Sequence, residues 1–476
     1  MISARSRPGT DARRAAAGAG TPDFDTSTPA VVLKLDPNVM HHGGLGVIRS
    51  LGRLGVPVYG VHEGPSAPAA NSVYLRGRCF WQPDPAETDR VLAGLGQLAG
   101  HIGRPAVLLP TDDAGAIFLA EHGAQLRPRF LFSDPPAGLP RQVAGKYSLY
   151  QLCSALDVPC PHAALPGSLA QARAFAADAG FPLIAKLTTP WTHSRGLRST
   201  SVIADAGQLA AVYQECAGAG VGLMLQEFVP GGSGHDWFFH GYCDASSACR
   251  PAFTGVKERS YPAHAGLTCL GRSTPSAGLR AEVVGLLTRL GYRGILDLDL
   301  RLDARDGQFK LLDFNPRLGA QFRLFRDTAG LDVATAAYLD LTGQPIPSGE
   351  QVAGRGFLVE NYDPLGALRY WRDGELGLGS WLASLRTVDE TAWFARDDLR
   401  PFGLMCVRMG WRLATRPLAR KQTQPRGNGF RYRSGRAAAR PGRARNSRPS
   451  TITDIPTITD ISRPAAPQSQ KEGTPA

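Results

Sequence analysis

The chain has 476 residues, 43% hydrophobic and 20% charged, an ordinary composition for a folded protein with room for about three domains. Its net charge is +12, yet the stretch from Arg412 to Arg448 alone holds eleven Arg plus Lys421 and no acid. Without those twelve cations the rest of the chain is neutral, so the basic signal belongs to a tail and not to the folded body. The eight cysteines form no CxxC pair and no disulfide framework, which fits a reducing compartment. The N-terminus lacks a signal peptide's apolar core and no window has a membrane helix's apolar run, so the expected location is the cytoplasm, with no membrane partner.

In chain order, residues 1–29 are Gly, Ala, Pro and charge, a composition that predicts disorder. "AVVLKL" (30–35) reads as a strand, followed by the Gly-rich turn "HHGGLG" (41–46), a helix "VIRSLGRLG" and a second strand "VPVYGVHE" (56–63). "PAVLLPTDD" (105–113) reads as a further buried strand with a polar tip. Strands alternating with helices predict a parallel α/β layer over 30–145. A second unit is expected over 146–345. It opens on the amphipathic helix "KYSLYQLCSALDVPCP" and continues with the strand "FPLIAKL" (181–187) and the loop "TTPWTHSRGLRST" (188–200). Strand, turn and strand follow over 222–244, then a helix and a β-hairpin whose turn is "DARDGQ", where Asp306-Gly307 is a strong turn signal. A helix is expected over 326–342, an aromatic-rich extension over 346–411, and a basic disordered tail over 412–476 containing the tandem "TITDIP", "TITDIS". The fold class is therefore α/β and α+β, with a parallel layer ahead of a mixed unit.

Chemistry concentrates on the hairpin. Alternation puts Asp313 and Asn315 on one face of the second strand, with Arg317 next if the extended form continues. On the first strand, "LDLDLRL" puts Asp297, Asp299 and Arg301 on one face, so that Asp299 can meet Asp313. Two carboxylates and an amide oxygen so placed repel unless neutralised, and they suit a hard divalent cation. A solvent-facing edge is the plain alternative. Lys186 emerges from a strand over a Ser/Gly loop, where Ser194 and Gly196 lie among backbone groups able to cradle phosphate. Lys146 opens a helix, a mildly unfavourable place for a cation. "QEFVPGGSGHD" ends a strand on an acid and enters a Gly-rich turn, which offers backbone to a base edge.

Lys146, "PLIAK" ending at Lys186, "QEFVPG" (226–231), Asp299 and "DFNPRLG" (313–319) occur in the order typical of ATP-grasp carboxylate–amine ligases, and the chain resembles that superfamily over about 30–345. "FTGVKERSYPAHAG" (253–266) and the aromatic extension look most like its D-aspartate-ligase or carbamoyl-phosphate-synthetase-like branch. The resemblance implies an ATP-grasp fold behind the parallel layer, and use of ATP with Mg²⁺ (or Mn²⁺) to join small-molecule carboxylate and amine substrates. It implies that Lys146 and Lys186 meet the phosphates, that Gln226, Glu227, Phe228 and Val229 border the adenine, and that Asp236 takes the ribose. Asp299, Asp313 and Asn315 would hold the metal. Arg317 would stabilise the transferred phosphoryl group, with Lys257 and Arg259 adding to a positive wall. The chain departs from the family pattern in using Asp where Glu is commoner at 299 and 313, and in its longer step to Asp236.

Three other readings compete. A non-catalytic ATP-binding protein would keep the same fold. A nicotinamide oxidoreductase would use "GGLG" and Glu63, but Arg49 occupies the fingerprint's third Gly position. The tail could bind nucleic acid weakly and without sequence preference. The oligomeric state has no sequence signal.

Overall fold

The computed structural model describes residues 24–188, 200–263, 266–422 and 457–460. The first layer comprises β1 (Ala30–Leu33), α1 (Gly43–Arg53), β2 (Val58–His62), β3 (Leu75–Phe80), α2 (Thr88–Ile102), β4 (Ala106–Pro110), α3 (Asp113–His122) and β5 (Phe130–Leu131). Its five strands are parallel, in the order β3-β2-β1-β4-β5. All four residues of β1 are buried, as a strand covered on both faces must be. The sequence reading of this layer holds, although β3 ("LRGRCF") has no apolar run and was not foreseen.

Next come α4 (Leu139–Ala144), α5 (Lys146–Ala155), β6 (Ala163–Ala164), α6 (Leu169–Ala179), β7 (Leu183–Leu187), β8 (Thr200–Ile203), α7 (Ala206–Gly218) and β9 (Leu223–Glu227). Their strands form an antiparallel sheet, β6-β9-β7-β8, over a small core of its own. The larger sheet comprises β10 (Asp236–Cys243), β11 (Cys249–Tyr261), β12 (Leu267–Ser273), β13 (Gly294–Leu302), β14 (Phe309–Asn315), β15 (Gly356–Leu358) and β16 (Glu390–Thr391). It runs β14-β13-β10-β11-β12-β15-β16, with α8 (Ala277–Leu290) and α9 (Val333–Leu341) packed on it. The helix expected over 326–342 is shorter, because Asp332 caps it by accepting from the Thr335 N–H at 2.8 Å.

The C-terminal extension consists of α10 (Asp363–Arg372), α11 (Leu378–Leu385) and α12 (Arg400–Gln422). The expected boundary at 411 falls inside α12, and a final strand, β17 (Thr457–Asp460), pairs antiparallel with the edge strand β3. Disorder was also expected through residue 29, but 24–29 are held. Phe24 packs on Tyr338, the Asp25 N–H donates to Gln344 Oε1 at 2.7 Å, and the Thr28 carbonyl accepts from the Tyr338 hydroxyl at 2.8 Å.

One buried ion pair joins the extension to the first layer. The Arg49 guanidinium, fully buried on α1, donates to Asp398 Oδ2 at 2.9 Å and to the Trp393 carbonyl at 2.7 Å. Asp398 in turn accepts from Ser72 Oγ and the Val73 N–H. The glycines of "HHGGLG" serve the same closure. A Cβ on Gly46 would stand 2.7 Å from the Phe322 ring, so α1 can approach the segment after "DFNPRLG" only with glycine there. Glu63, the other half of the dinucleotide pattern, is taken by Lys34. Those residues thus have structural employment. No helix among the described residues is long and apolar enough to cross a membrane.

Breaking a buried pair from one side leaves an uncompensated charge. Asp398→Ala should therefore lower the unfolding free energy by about 3–5 kcal/mol in a denaturant titration. A loss below about 1 kcal/mol would contradict the role given to this pair.

Candidate functional site

β13 and β14 place Asp299 directly opposite Asp313, and Asp297 opposite Asn315. The turn closes as the Asp-Gly signal requires, with Gly307 at φ +70° and its N–H donating to the Asp303 carbonyl at 2.8 Å. Facing carboxylates repel, and three lysines from three other elements converge on them. Lys146, the first residue of α5, donates to Asp313 Oδ1 at 2.7 Å. Lys186 on β7 stands 3.5 Å from the same oxygen. Lys257 on β11 donates to Asp299 Oδ1 at 3.3 Å and to the Gly266 carbonyl at 3.4 Å. The awkward helix-opening position of Lys146 is offset by the carboxylate it faces.

The protonation states follow from this packing. Burial pushes the Asp313 carboxyl up, but Lys146 and Lys186 outweigh it and hold the group well below the usual range. Burial raises Asp299, with Asp297 and Asp313 adding to the shift against Lys257. Burial pulls Lys146 down, and Asp313 more than compensates, so its pKa is raised. For Lys186 burial wins over Asp313, and its pKa is lowered. The two phosphate-binding candidates are thus differently poised.

Behind the carboxylates, Arg317 donates to Asp297 Oδ2 at 2.9 Å and stands 3.3 Å from Asp113 Oδ1. Asp113 opens α3 of the first layer, so this guanidinium spans the junction of the two sheets. Asp297 is 4% exposed, and His240 Nε2 lies 3.1 Å from its other oxygen. Asp112, the neighbouring acid, has a different use: it caps α3 through the Gly115 N–H at 2.6 Å and accepts from the Leu35 N–H at 2.6 Å.

On the hinge side, Arg301 donates to the Val229 carbonyl at 2.8 Å, the Gly231 carbonyl at 2.7 Å and Asp236 Oδ1 at 2.5 Å. Its guanidinium lies 5.8 Å from the Phe228 ring centroid. The Glu227 N–H donates to the His162 carbonyl at 2.9 Å, and Gln226 pairs with Ala163 across β9 and β6. Two expectations change. Asp236 is held by Arg301, its partner across β10 and β13, and is not free of protein contacts. Arg259 leaves the positive wall: a register shift between Lys257 and Arg259 interrupts the alternation, and its Nε donates to Asp363 on α10 at 2.8 Å. Ser194 and Gly196 lie outside the described residues.

Asp299, Asp313 and Asn315 fit a divalent cation. Asn315 Nδ2 donates to the Asp297 carbonyl at 3.2 Å, which leaves its Oδ1 as the free donor beside two carboxylates. Among the described residues no group of three or more His, Cys, Asp or Glu could hold a metal ion, so Asp299 and Asp313 do not by themselves complete a shell. Sequence reasoning placed Asp297 on the right face but gave it no role, saw Asp113 only as part of the polar tip of 105–113, and missed His240, whose proximity depends on tertiary packing.

Among solved structures, the biotin carboxylase domain of 2-oxoglutarate carboxylase from Hydrogenobacter thermophilus, crystallised with MgADP, ADP and bicarbonate, superposes with a TM-score of 0.50. The identity is 14%, over 69% of this chain and 72% of that one. N5-carboxyaminoimidazole ribonucleotide synthetase from Thermus thermophilus gives 0.50 at 15% identity, over 68% and 80%. The Staphylococcus aureus N5-carboxyaminoimidazole synthetase with ADP gives 0.50 at 10%, over 69% and 81%. The fold is ATP-grasp. A D-aspartate ligase from Enterococcus faecium (strain Aus0004) is 22% identical over 245 residues, 48% of this chain and 56% of that protein. The chain thus matches little more than half the length of that relative. No protein-family model matches the chain.

Arg301 ties the loop after β9 to β13 through the Val229 and Gly231 carbonyls. Arg301→Ala should destabilise the protein by about 2 kcal/mol and speed proteolytic cleavage between Val229 and Asp236. Unaltered cleavage there would show that other contacts hold the loop.

Proposed function

We propose that the chain is an ATP-dependent ligase that joins a carboxylate to an amine through an acyl phosphate, releasing ADP and phosphate. The convergence of Lys146 and Lys186, from a helix and from a separate sheet, on Asp313 carries this reading. In it the two ammonium groups turn from Asp313 to the ATP phosphates as point charges. The backbone of Gln226 to Val229 borders the adenine, and Asp236 accepts a ribose hydroxyl through the oxygen that Arg301 leaves. Asp299, Asp313 and the Asn315 amide oxygen hold Mg²⁺ or Mn²⁺, which when bound neutralises charge on the transferred phosphoryl group.

A substrate carboxylate oxygen attacks the γ-phosphorus, and the bond to the bridging oxygen of ADP breaks. The amine then attacks the acyl carbon, loses a proton and expels phosphate. Both steps need charge neutralisation and positioning rather than a side-chain nucleophile. Arg317, fixed on two carboxylates, presents positive charge at the junction where the acyl phosphate would lie, and Lys257 adds to it from β11. Because the Enterococcus relative is a D-aspartate ligase, D-aspartate is the first acid to test.

With Mg²⁺ and ATP, a screen of carboxylate–amine pairs should give ADP release that depends on both partners. Lys186→Ala and Asp313→Ala should each reduce turnover by about 10²–10³-fold, as loss of a preorganised charge does. Turnover unchanged in both variants would refute the site.

The alkaline limb offers a separate check. Lys186 must be charged to act, and burial lowers its pKa in the free protein, so kcat/KM should decline at a pH below that of an ordinary lysine. Lys186→Arg should move that limb upward.

A further inference from the structure

The geometry points to an anionic lipid surface as the partner of the C-terminal extension. Thirteen large hydrophobic side chains are exposed among the described residues, and eight of them fall between Leu368 and Trp411. Isolated exposed side chains need no account, but the six of these eight that lie on three consecutive helices do. Leu368 and Trp371 are three apart on α10, Leu378 and Leu382 four apart on α11, and Val407 and Trp411 four apart on α12, so each pair shares a helix face. Trp371 is 59% exposed and Trp411 72%.

These faces are held outward by contacts on the other side. Trp381 Nε1 on α11 donates to Asp363 at 2.8 Å, and Arg259 donates to Ser384 at 2.9 Å, while no residue of α11 is itself buried. On α12, Met405 is buried and Phe402 packs on Phe394, which turns Val407 and Trp411 away from the body. Arg400 is on the same stripe as Val407 and Trp411, seven and eleven residues before them.

Charge selects the occupant. α12 contains Arg400, Arg408, Arg412, Arg416, Arg420 and Lys421 and no acid, and the sequence beyond it adds Arg through residue 448 without an acid. A second copy of the chain would bring like charge against like. Nucleic acid would meet the cations but leave Leu378, Leu382 and Val407 in water. A bilayer rich in anionic headgroups satisfies both, taking Trp and Leu at the headgroup boundary and Arg at the phosphates.

The test is sedimentation of the full-length protein with phosphatidylcholine vesicles, with and without phosphatidylglycerol, and with polyuridylate RNA as competitor. Binding should require phosphatidylglycerol and weaken with added salt. Trp371→Ser with Trp411→Ser should reduce it by about tenfold or more, as should Leu378→Ser with Leu382→Ser, with unfolding temperatures unchanged. Arg400→Gln and Arg412→Gln should each reduce it about fivefold. The proposal falls if anionic vesicles do not bind at low salt, if both apolar pairs can be replaced without loss, or if polyuridylate displaces the vesicles and binds the apolar variants undiminished.

Discussion

Two carboxylates held face to face are the constraint around which this molecule is organised. Asp299 and Asp313 are fixed opposite each other by strand register, so neither can turn away to relieve the repulsion. Relief has to come from cations on other elements, and it comes from the small sheet, from the start of α5 and from β11. A purely structural hairpin would gain nothing from this arrangement, since apolar residues at the same register would pack without the desolvation cost. The concentration of opposite charge becomes reasonable once a polyphosphate and a hard cation are allowed to share it.

A second set of charges sets the distance between the layers. Arg317 bridges Asp297 on the hairpin and Asp113 on the first layer, with His240 buried beside the former. Burial dominates the His240 environment and lowers its pKa, so it stays neutral next to Asp297. The result is one guanidinium between two carboxylates, a net negative surrounding that keeps Arg317 charged and in place.

How much of this was legible beforehand depended on how local the signal was. The "DFNPRLG" and "LDLDLRL" alternation set which residues share a face within each strand, because strand geometry is local, but the pairing of Asp299 with Asp313 also depends on a register shift between Asp299 and Leu300 that the Asp306-Gly307 turn alone does not give. The parallel layer was legible for the same reason, except β3, where Arg76 and Arg78 interrupt the apolar run. Arg259 was misread because a register shift in β11 cannot be inferred from side-chain spacing. The bond from Arg301 to Asp236 had no local signal, because the two are 65 residues apart. The close packing of the Gly-rich turn on Phe322 had no signal in the sequence, because the two segments are far apart along the chain.

The Arg49–Asp398 pair has a consequence for how the chain can be divided. Its partners are 349 residues apart, and the carboxylate also receives Ser72 and Val73 from the first layer. The last helices are therefore continuous with the beginning of the chain in space, and the central unit is an insertion between two halves of one body. A cut at the sequence boundary near 345 would not release a module but split a single cooperative unit, exposing an unpaired buried arginine on one side and its acid on the other. The modular order of the sequence and the cooperative order of the fold are, in this protein, two different partitions.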